Sequence, residues 1–200
     1  MFDNLRGRSP GLMDADRYKD YAVLAPYLSE ERAFLFEVRS GALRSQPGEI
    51  CFPGGRIEPG ETPQDAARRE TAEELLIAPG KIEVVGELDT LITPFYTRIF
   101  PYIGLLSDYH DSFSADEVAK VFRVPFDFFL EAEPTVYYNE IGVAPGGDNF
   151  PYELLGRDSY PWGRAKYPVL FYPYGDQVIW GLTARIMPHI VRLYRDGTAT

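Results

Sequence analysis

Histidine and cysteine are scarce in this 200-residue chain, which holds two of the first and one of the second. One cysteine excludes an internal disulfide, and two histidines leave little for a histidine-based zinc site. Basic charge is also short. Twenty Lys and Arg against thirty Asp and Glu leave a net charge of −10. So negative a surface repels phosphate backbones, which argues against general nucleic-acid or anionic-membrane binding. Long apolar runs are missing too. The start, Met-Phe-Asp-Asn-Leu-Arg-Gly-Arg, lacks a signal-peptide core, and Pro, Arg or Asp interrupts every later apolar stretch before membrane-spanning length. What remains, 45 % hydrophobic and 25 % charged residues, suits one ordinary globular core. The expectation is an acidic, reduced, cytoplasmic chain forming a single domain over residues 1–200.

No repeat, low-complexity tract or flexible linker divides the chain, so no boundary is placed. Tyr18 to Leu28 and Ala33 to Val38 read as strands, the second with charge only near its end. Ser45 to Gly60, with three Pro and four Gly, reads as mostly loop. A helix follows, then strands over Ile82 to Asp89 and Phe95 to Leu106. Glu117 to Val124 reads as another strand and Pro125 to Leu130 as a short aromatic helix. Hairpins and long loops are expected in the Tyr-, Pro- and Gly-rich stretch from Pro134 to Asp176. A last amphipathic helix is expected from about Ile179 to Arg195, kinked by Pro188. Strands around one central helix, closed by another, predict an α/β fold: a mixed sheet with helices on both faces.

The central helix carries the most chemistry. Thr62 can cap its free amides, Pro63 fits the first helical position and Asp65 suits the positive end. It is expected to run to about Ile77. At 100° per residue, Ala67, Thr71, Leu75 and Ala78 form a core stripe, with Glu70, Glu73 and Glu74 gathered beside it. Like charges at these spacings repel by roughly 0.2–0.5 kcal/mol per pair. They also face the negative end of the helix dipole. A solvated acidic face is one reading. A divalent cation, which favours clustered carboxylate oxygens, is the other.

The preceding loop decides between them. Phe52-Pro53-Gly54-Gly55 enters a turn. From Gly55, five residues lead to Glu61, then seven to Arg69-Glu70, followed by Glu73-Glu74 and Ile77. This resembles the Nudix box, G-x5-E-x7-R-E-U-x-E-E-x-G-U with U a bulky aliphatic residue, over residues 55–77. Thr71 stands in place of the aliphatic residue and Leu76 in place of the late glycine. Upstream, Leu35, Arg39, Ser40, Arg44, Gly48, Phe52, Pro53, Gly54 and Gly55 fall in register with a second motif over 35–55. That motif, L-L-T-x-R-[SA]-x3-R-x3-G-x3-F-P-G-G, resembles the one that marks the coenzyme A pyrophosphatase subgroup. Phe36 and Glu37 depart from its usual Leu and Thr, and Gln46 and Glu49 stand where His and Gln are frequent. Asp116-Glu117-Val118 resembles the family's later acidic segment, and Ile179 to Ala184 its C-terminal helix entry.

The resemblance implies a Nudix-type α/β/α sandwich with a central mixed β-sheet, and a hydrolase dependent on Mg²⁺ or Mn²⁺. It implies Glu70 and Glu74 as the main metal ligands, with Glu73, the Gly55 carbonyl and Glu117 adding to the site. Arg69 is expected to hold Glu61 or a ligand carboxylate in place. The general base stays open among Glu70, Glu73 and Glu117. Arg39 and Arg44, with Gly54 and Gly55, are the substrate-binding candidates, since guanidinium forks suit phosphate oxygens. Phe95, Tyr96, Tyr137, Tyr138 and Tyr172 are either walls of a pantetheine groove, core residues, or a homodimer interface. Coenzyme A or an acyl derivative is the implied small-molecule substrate, with 4′-phosphopantetheine and 3′,5′-ADP as products. ADP-ribose, NADH or another nucleoside diphosphate derivative is the alternative. A non-catalytic binding module is a third reading, opposed by the retained box glutamates. Cys51, His110 and His189 read as packing or surface residues.

Overall fold

A computed structural model of the chain describes residues 3–198. Met1 and Phe2, part of the start read above for a leader, lie outside the described residues. The internal contacts fall into two compact units, Met1–Leu130 and Glu131–Thr200. No boundary was expected from composition. The division falls at the end of a short helix rather than in a Pro/Gly-rich linker of the kind that announces one.

The first unit is built on an eight-stranded mixed sheet. β1 (Lys19–Leu28), β2 (Ala33–Arg39), β3 (Ile50–Cys51) and β4 (Gly54–Arg56) precede the helix α1 (Pro63–Glu74). β5 (Ile82–Glu87), β6 (Leu91–Thr93), β7 (Thr97–Leu106) and β8 (Val118–Pro125) follow, with the short helix α2 (Phe126–Glu131) closing the unit. β1 and β7 pair in parallel and the other pairs are antiparallel. β1 and β2 pair only at Tyr27–Phe34 and Leu28–Ala33. The chain from Ile50 to Arg56 fills the space where they diverge. β3 pairs with β2, β4 with β1, and Leu24 N–H donates to the Pro53 carbonyl. The segment expected to be loop therefore contains two short strands. Glycine and proline hid them, because their ladders depend on partners distant in sequence.

Period-two alternation gives the sheet two faces. On one, Leu24, Leu28, Leu35, Tyr102 and Leu106 form a core with Ala66, Ala67 and Leu75 of α1. On the other, Phe34 and Phe36 of β2 meet Phe52, Phe122, Phe126 and Phe129, with Phe36 and Phe52 stacked at 4.7 Å. Helices thus flank this mixed sheet, as expected for the class. α1 starts as read: Thr62 is extended, and its hydroxyl accepts from Asp65 N–H at 3.1 Å. It ends earlier, at Glu74, and Ala78 is exposed rather than part of the core stripe. The late glycine of the box would have permitted a left-handed exit; here Leu76 itself adopts φ 48°. β6 was not anticipated in the residues between Asp89 and Phe95.

The second unit is a three-stranded antiparallel sheet with one helix. β9 (Thr135–Gly142) and β10 (Arg164–Tyr174) form a hairpin with a long connection, as its composition suggested. β11 (Gln177–Trp180) returns through Gly175, whose φ of 60° suits a tight turn. α3 (Gly181–Thr198) packs on β10 and β11 and contains Pro188. Ile179 and Trp180, expected to open the helix, complete β11 instead. Their apolar character serves a strand and a helix equally, and pairing with Tyr172 and Phe171 decides it.

Candidate active site

The candidate catalytic, metal-ligating and phosphate-binding residues all lie in the first unit. The site starts with α1, whose burial pattern follows from its small residues. Ala66, Ala67 and Thr71 let the helix approach the sheet, and Glu74, on the same side, is carried to 2 % exposure. Such a carboxylate must be satisfied locally. Gly54 N–H donates to Glu74 Oε2 at 2.8 Å, and Arg39 Nη1 lies 4.0 Å from Oε1. One turn earlier, Glu70 presses on the other glycine. A Cβ at Gly55 would sit 2.3 Å from the Glu70 Cδ. Gly55 thus has a steric role, leaving room for the Glu70 carboxylate, while Gly54 serves Glu74 through its N–H and lies tight against Ala22 and Val23 of β1.

Arg69 organises the remaining acids. Its Nε and Nη2 reach Glu61 Oε1 and Oε2 at 2.9 and 3.0 Å, a fork-to-fork pair. Its Nη1 reaches Glu70 at 2.9 Å and Glu73 at 3.3 Å, and Nη2 also donates to the Arg56 carbonyl. Arg69, expected to hold Glu61 or a ligand carboxylate, bonds Glu61 and also Glu70 and Glu73. It also offsets the repulsion along the helix without a metal. Glu73 departs from the trio: its side chain is 56 % exposed and paired with Arg69.

Glu117 is brought in by tertiary contacts. The carbonyls at the end of α1 are taken up by the loop before β8: Ser112 Oγ donates to Leu75 O and Ser114 N–H to Glu74 O. Glu117 N–H then returns to Ser114 O, and Ser40 N–H donates to Glu117 O. This ties the exposed Glu117 between the end of α1 and the end of β2. Its charge acts on both Glu70 and Glu37. Arg39 ends β2 within the site, whereas Arg44 is exposed in the loop that follows. Gln46 and Glu49, the two loop departures, bond each other at 3.0 Å.

Glu37 was missed as a site residue. It is fully buried on β2, its Oε1 accepts a hydrogen bond from the Cys51 thiol at 3.2 Å, and its Oε2 is buried without a protein partner. The available signal was an acidic residue in an otherwise apolar strand where the motif carries Thr. Burial pushes Glu37 and Glu74 above the usual carboxylate range; the charge of Glu37 adds to the rise at Glu74, and the charges of Glu117 and Glu70 to the rise at Glu37. Burial also raises Glu70, against the lowering by Arg69, while Arg69 holds Glu61 low. Burial pushes the Cys51 thiol up, so it stays a donor rather than a nucleophile. Among the described residues, no three His, Cys, Asp or Glu side chains form a ready cation cage.

Of the aromatic candidates, Phe95 and Tyr96 are exposed on the first unit. Tyr137 and Tyr138 are exposed on β9, and Tyr172 is buried in the second unit's core. No helix among the described residues is long and apolar enough to cross a membrane.

Residues 19–133 match the NUDIX domain family. The peroxisomal coenzyme A diphosphatase NUDT7 of Mus musculus is 38 % identical over 132 residues, which are 64 % of this chain and 55 % of that protein. This chain therefore spans just over half of that relative's length. Nudix hydrolase 3 of Caenorhabditis elegans is 30 % identical, covering 88 % of this chain and 73 % of the relative. A MutT/nudix family protein from Enterococcus faecalis shares the fold with a TM-score of 0.53 at 14 % identity, over 95 % of this chain and 66 % of that one. With the glutamates of the box seated on its diglycine, and more than half the chain within the matched domain, this protein belongs to the Nudix hydrolase family.

Proposed function

We propose that this Nudix hydrolase cleaves the diphosphate of coenzyme A or its acyl derivatives, with Mg²⁺ or Mn²⁺. The carrying observation is the seating of Glu70 and Glu74 on Gly55 and Gly54 with Arg39 4.0 Å from Glu74. It puts carboxylates and a phosphate-binding cation in one place. The donors fit a hard cation: every candidate atom is an oxygen, from Glu70, Glu74 and the Gly55 carbonyl. The lack of a complete protein cage suits Mg²⁺, which keeps several waters and shares its shell with substrate phosphates. When bound, such an ion neutralises charge developing on the diphosphate.

The protein's own groups supply the rest. Arg69 holds Glu61, Glu70 and Glu73 in fixed orientation, and Gly54 N–H fixes Glu74. Water attacks one phosphorus and the P–O–P bridge breaks, giving 3′,5′-ADP and (acyl-)4′-phosphopantetheine. One proton of the attacking water passes to a neighbouring carboxylate, while the other stays on the new phosphate; Glu117, exposed and acting by its charge on Glu70, is assigned this role. Arg39, beside the carboxylates, serves the diphosphate; Arg44, out in the loop, serves the 3′-phosphate. The motif over 35–55 supports this substrate, as does similarity to a relative named as a coenzyme A diphosphatase. A reducing compartment such as the cytoplasm suits the single, half-buried thiol.

Product chromatography after incubation with coenzyme A, ADP-ribose or NADH and either metal tests the proposal. Coenzyme A is expected to give the two named products and the Glu70→Gln variant almost none. Hydrolysis of ADP-ribose or NADH with coenzyme A left intact would overturn the substrate and keep the reaction class.

A further inference from the structure

Glu37 and Glu74 are the buried carboxylates of the described residues, at 0 % and 2 % exposure, and both belong to this one site. They come from elements distant in sequence, β2 and the end of α1. Glu37 is the carboxylate whose charge weighs most on Glu74, ahead of Glu70. Neither the box nor the second motif requires an acid at position 37.

The charge balance around this pair is incomplete. Arg69 is engaged with Glu61, Glu70, Glu73 and the Arg56 carbonyl. Arg39 is the basic side chain acting on both buried carboxylates, and it approaches Glu74 no closer than 4.0 Å. The Cys51 thiol, opposite Glu37 in the β2–β3 ladder, occupies Oε1 and brings no charge. Glu37 Oε2 is left buried with no protein partner. Buried polar atoms are otherwise almost always paired, and exceptions cluster where an ion or functional group completes the site. Two buried acids facing one incompletely engaged arginine are short of positive charge, and a divalent cation on Glu70 and Glu74 would supply it.

We propose that Glu37 is a further acidic group of the cation centre, setting its affinity by its buried charge. The inference rests on the metal-dependent reading above and extends it to a residue that the Nudix pattern leaves out. Glu37 has no exposed surface and so acts through Glu74 and the ion. It is a positioning residue rather than a catalytic one.

The test uses the full chain and Mn²⁺ alone, without substrate, followed by electron paramagnetic resonance and by calorimetry. Glu37→Gln keeps the shape and the thiol contact and removes the charge. It is expected to weaken Mn²⁺ binding about 10-fold or more, the usual consequence of losing an outer partner of a metal site. Glu37→Asp should restore much of the affinity. The metal-free Glu37→Gln protein should melt close to wild type, since the amide keeps the shape and the Cys51 contact. Unchanged Mn²⁺ affinity in folded Glu37→Gln, with or without a lower melting temperature, makes Glu37 structural and overturns the inference while the proposed function stands. If the wild-type chain binds no Mn²⁺, the metal-dependent reading itself falls, and this inference with it. Should Glu37→Gln not fold, Glu37→Thr, carrying the residue usual in the motif, serves for the same comparison.

Discussion

The Glu70 carboxylate lies so close to Gly55 that a methyl group there would come within 2.3 Å of it, whereas one at Gly54 would meet the Ala22 carbonyl at 2.4 Å. Neighbouring glycines therefore answer to different constraints. Gly55→Ala meets the end of a flexible side chain, which can swing away. We expect turnover to fall about 100-fold or more, as misplaced catalytic groups do, with little change in melting temperature. Gly54→Ala meets rigid backbone and is expected to destabilise the fold by about 1–3 kcal/mol. Thermal melts and initial rates on the two variants check this. Equal losses of stability would contradict it.

Arg69 pairs with three glutamates through one planar fork. Lysine keeps the charge but cannot hold Glu61 on two parallel bonds while reaching Glu70. Arg69→Lys is expected to lower kcat/KM about 10- to 100-fold. Its stability should stay near wild type, because such partly exposed pairs contribute only ~0–1 kcal/mol. Steady-state kinetics that match wild type would remove Arg69 from the site's support.

Proton and cation compete for Glu74. Burial and the charge of Glu37 push its carboxyl above the ordinary value of 4.5. A raised carboxylate means the metal-free native state holds a proton that the unfolded chain releases. This contribution to stability is present at low pH and is lost as pH rises through the folded value. A bound cation needs the ionised form, so its binding releases protons. The increase in melting temperature caused by Mg²⁺ over EDTA should therefore grow as pH rises toward the folded value of about 9 and level off above it. An increase that does not vary with pH would contradict the coupling.

Arg44 is exposed where Arg39 is held within the site. If it meets the 3′-phosphate, Arg44→Gln should reduce the preference for coenzyme A over its 3′-dephospho form by roughly 10-fold, the worth of one charged hydrogen bond. Competition between the two compounds measures this. An unaltered preference assigns the 3′-phosphate elsewhere.

Leu76 leaves α1 at φ 48° with 61 % of its surface exposed. A left-handed conformation costs a branched side chain ~1–2 kcal/mol, and glycine returns part of that as unfolded-state entropy. Leu76→Gly should raise stability by about 0.5–1 kcal/mol with kcat unchanged. Denaturant unfolding reads the difference.

Local chemistry made α1 legible in the chain itself. Its cap, its first proline and the spacing of its acids all lie within a few residues of one another, and the diglycine precedes them directly. Short-range terms of this kind do not depend on the rest of the fold. Leu76 and the strand–helix boundary at Trp180 were less legible, because their conformations answer to packing and pairing that composition leaves degenerate.

Other features belong to the tertiary structure alone. Glu117 reaches the site because Ser112 and Ser114 bond the end of α1. Glu37 is fully buried by the packing around β2, and Ile50–Cys51 and Gly54–Arg56 become strands because β1 and β2 diverge around them. The amino-acid order thus determined which acids and glycines stand ready on one helix and one turn. Folding decided which distant charges join them, because burial and electrostatic coupling depend on distances across the sheet that no local spacing encodes.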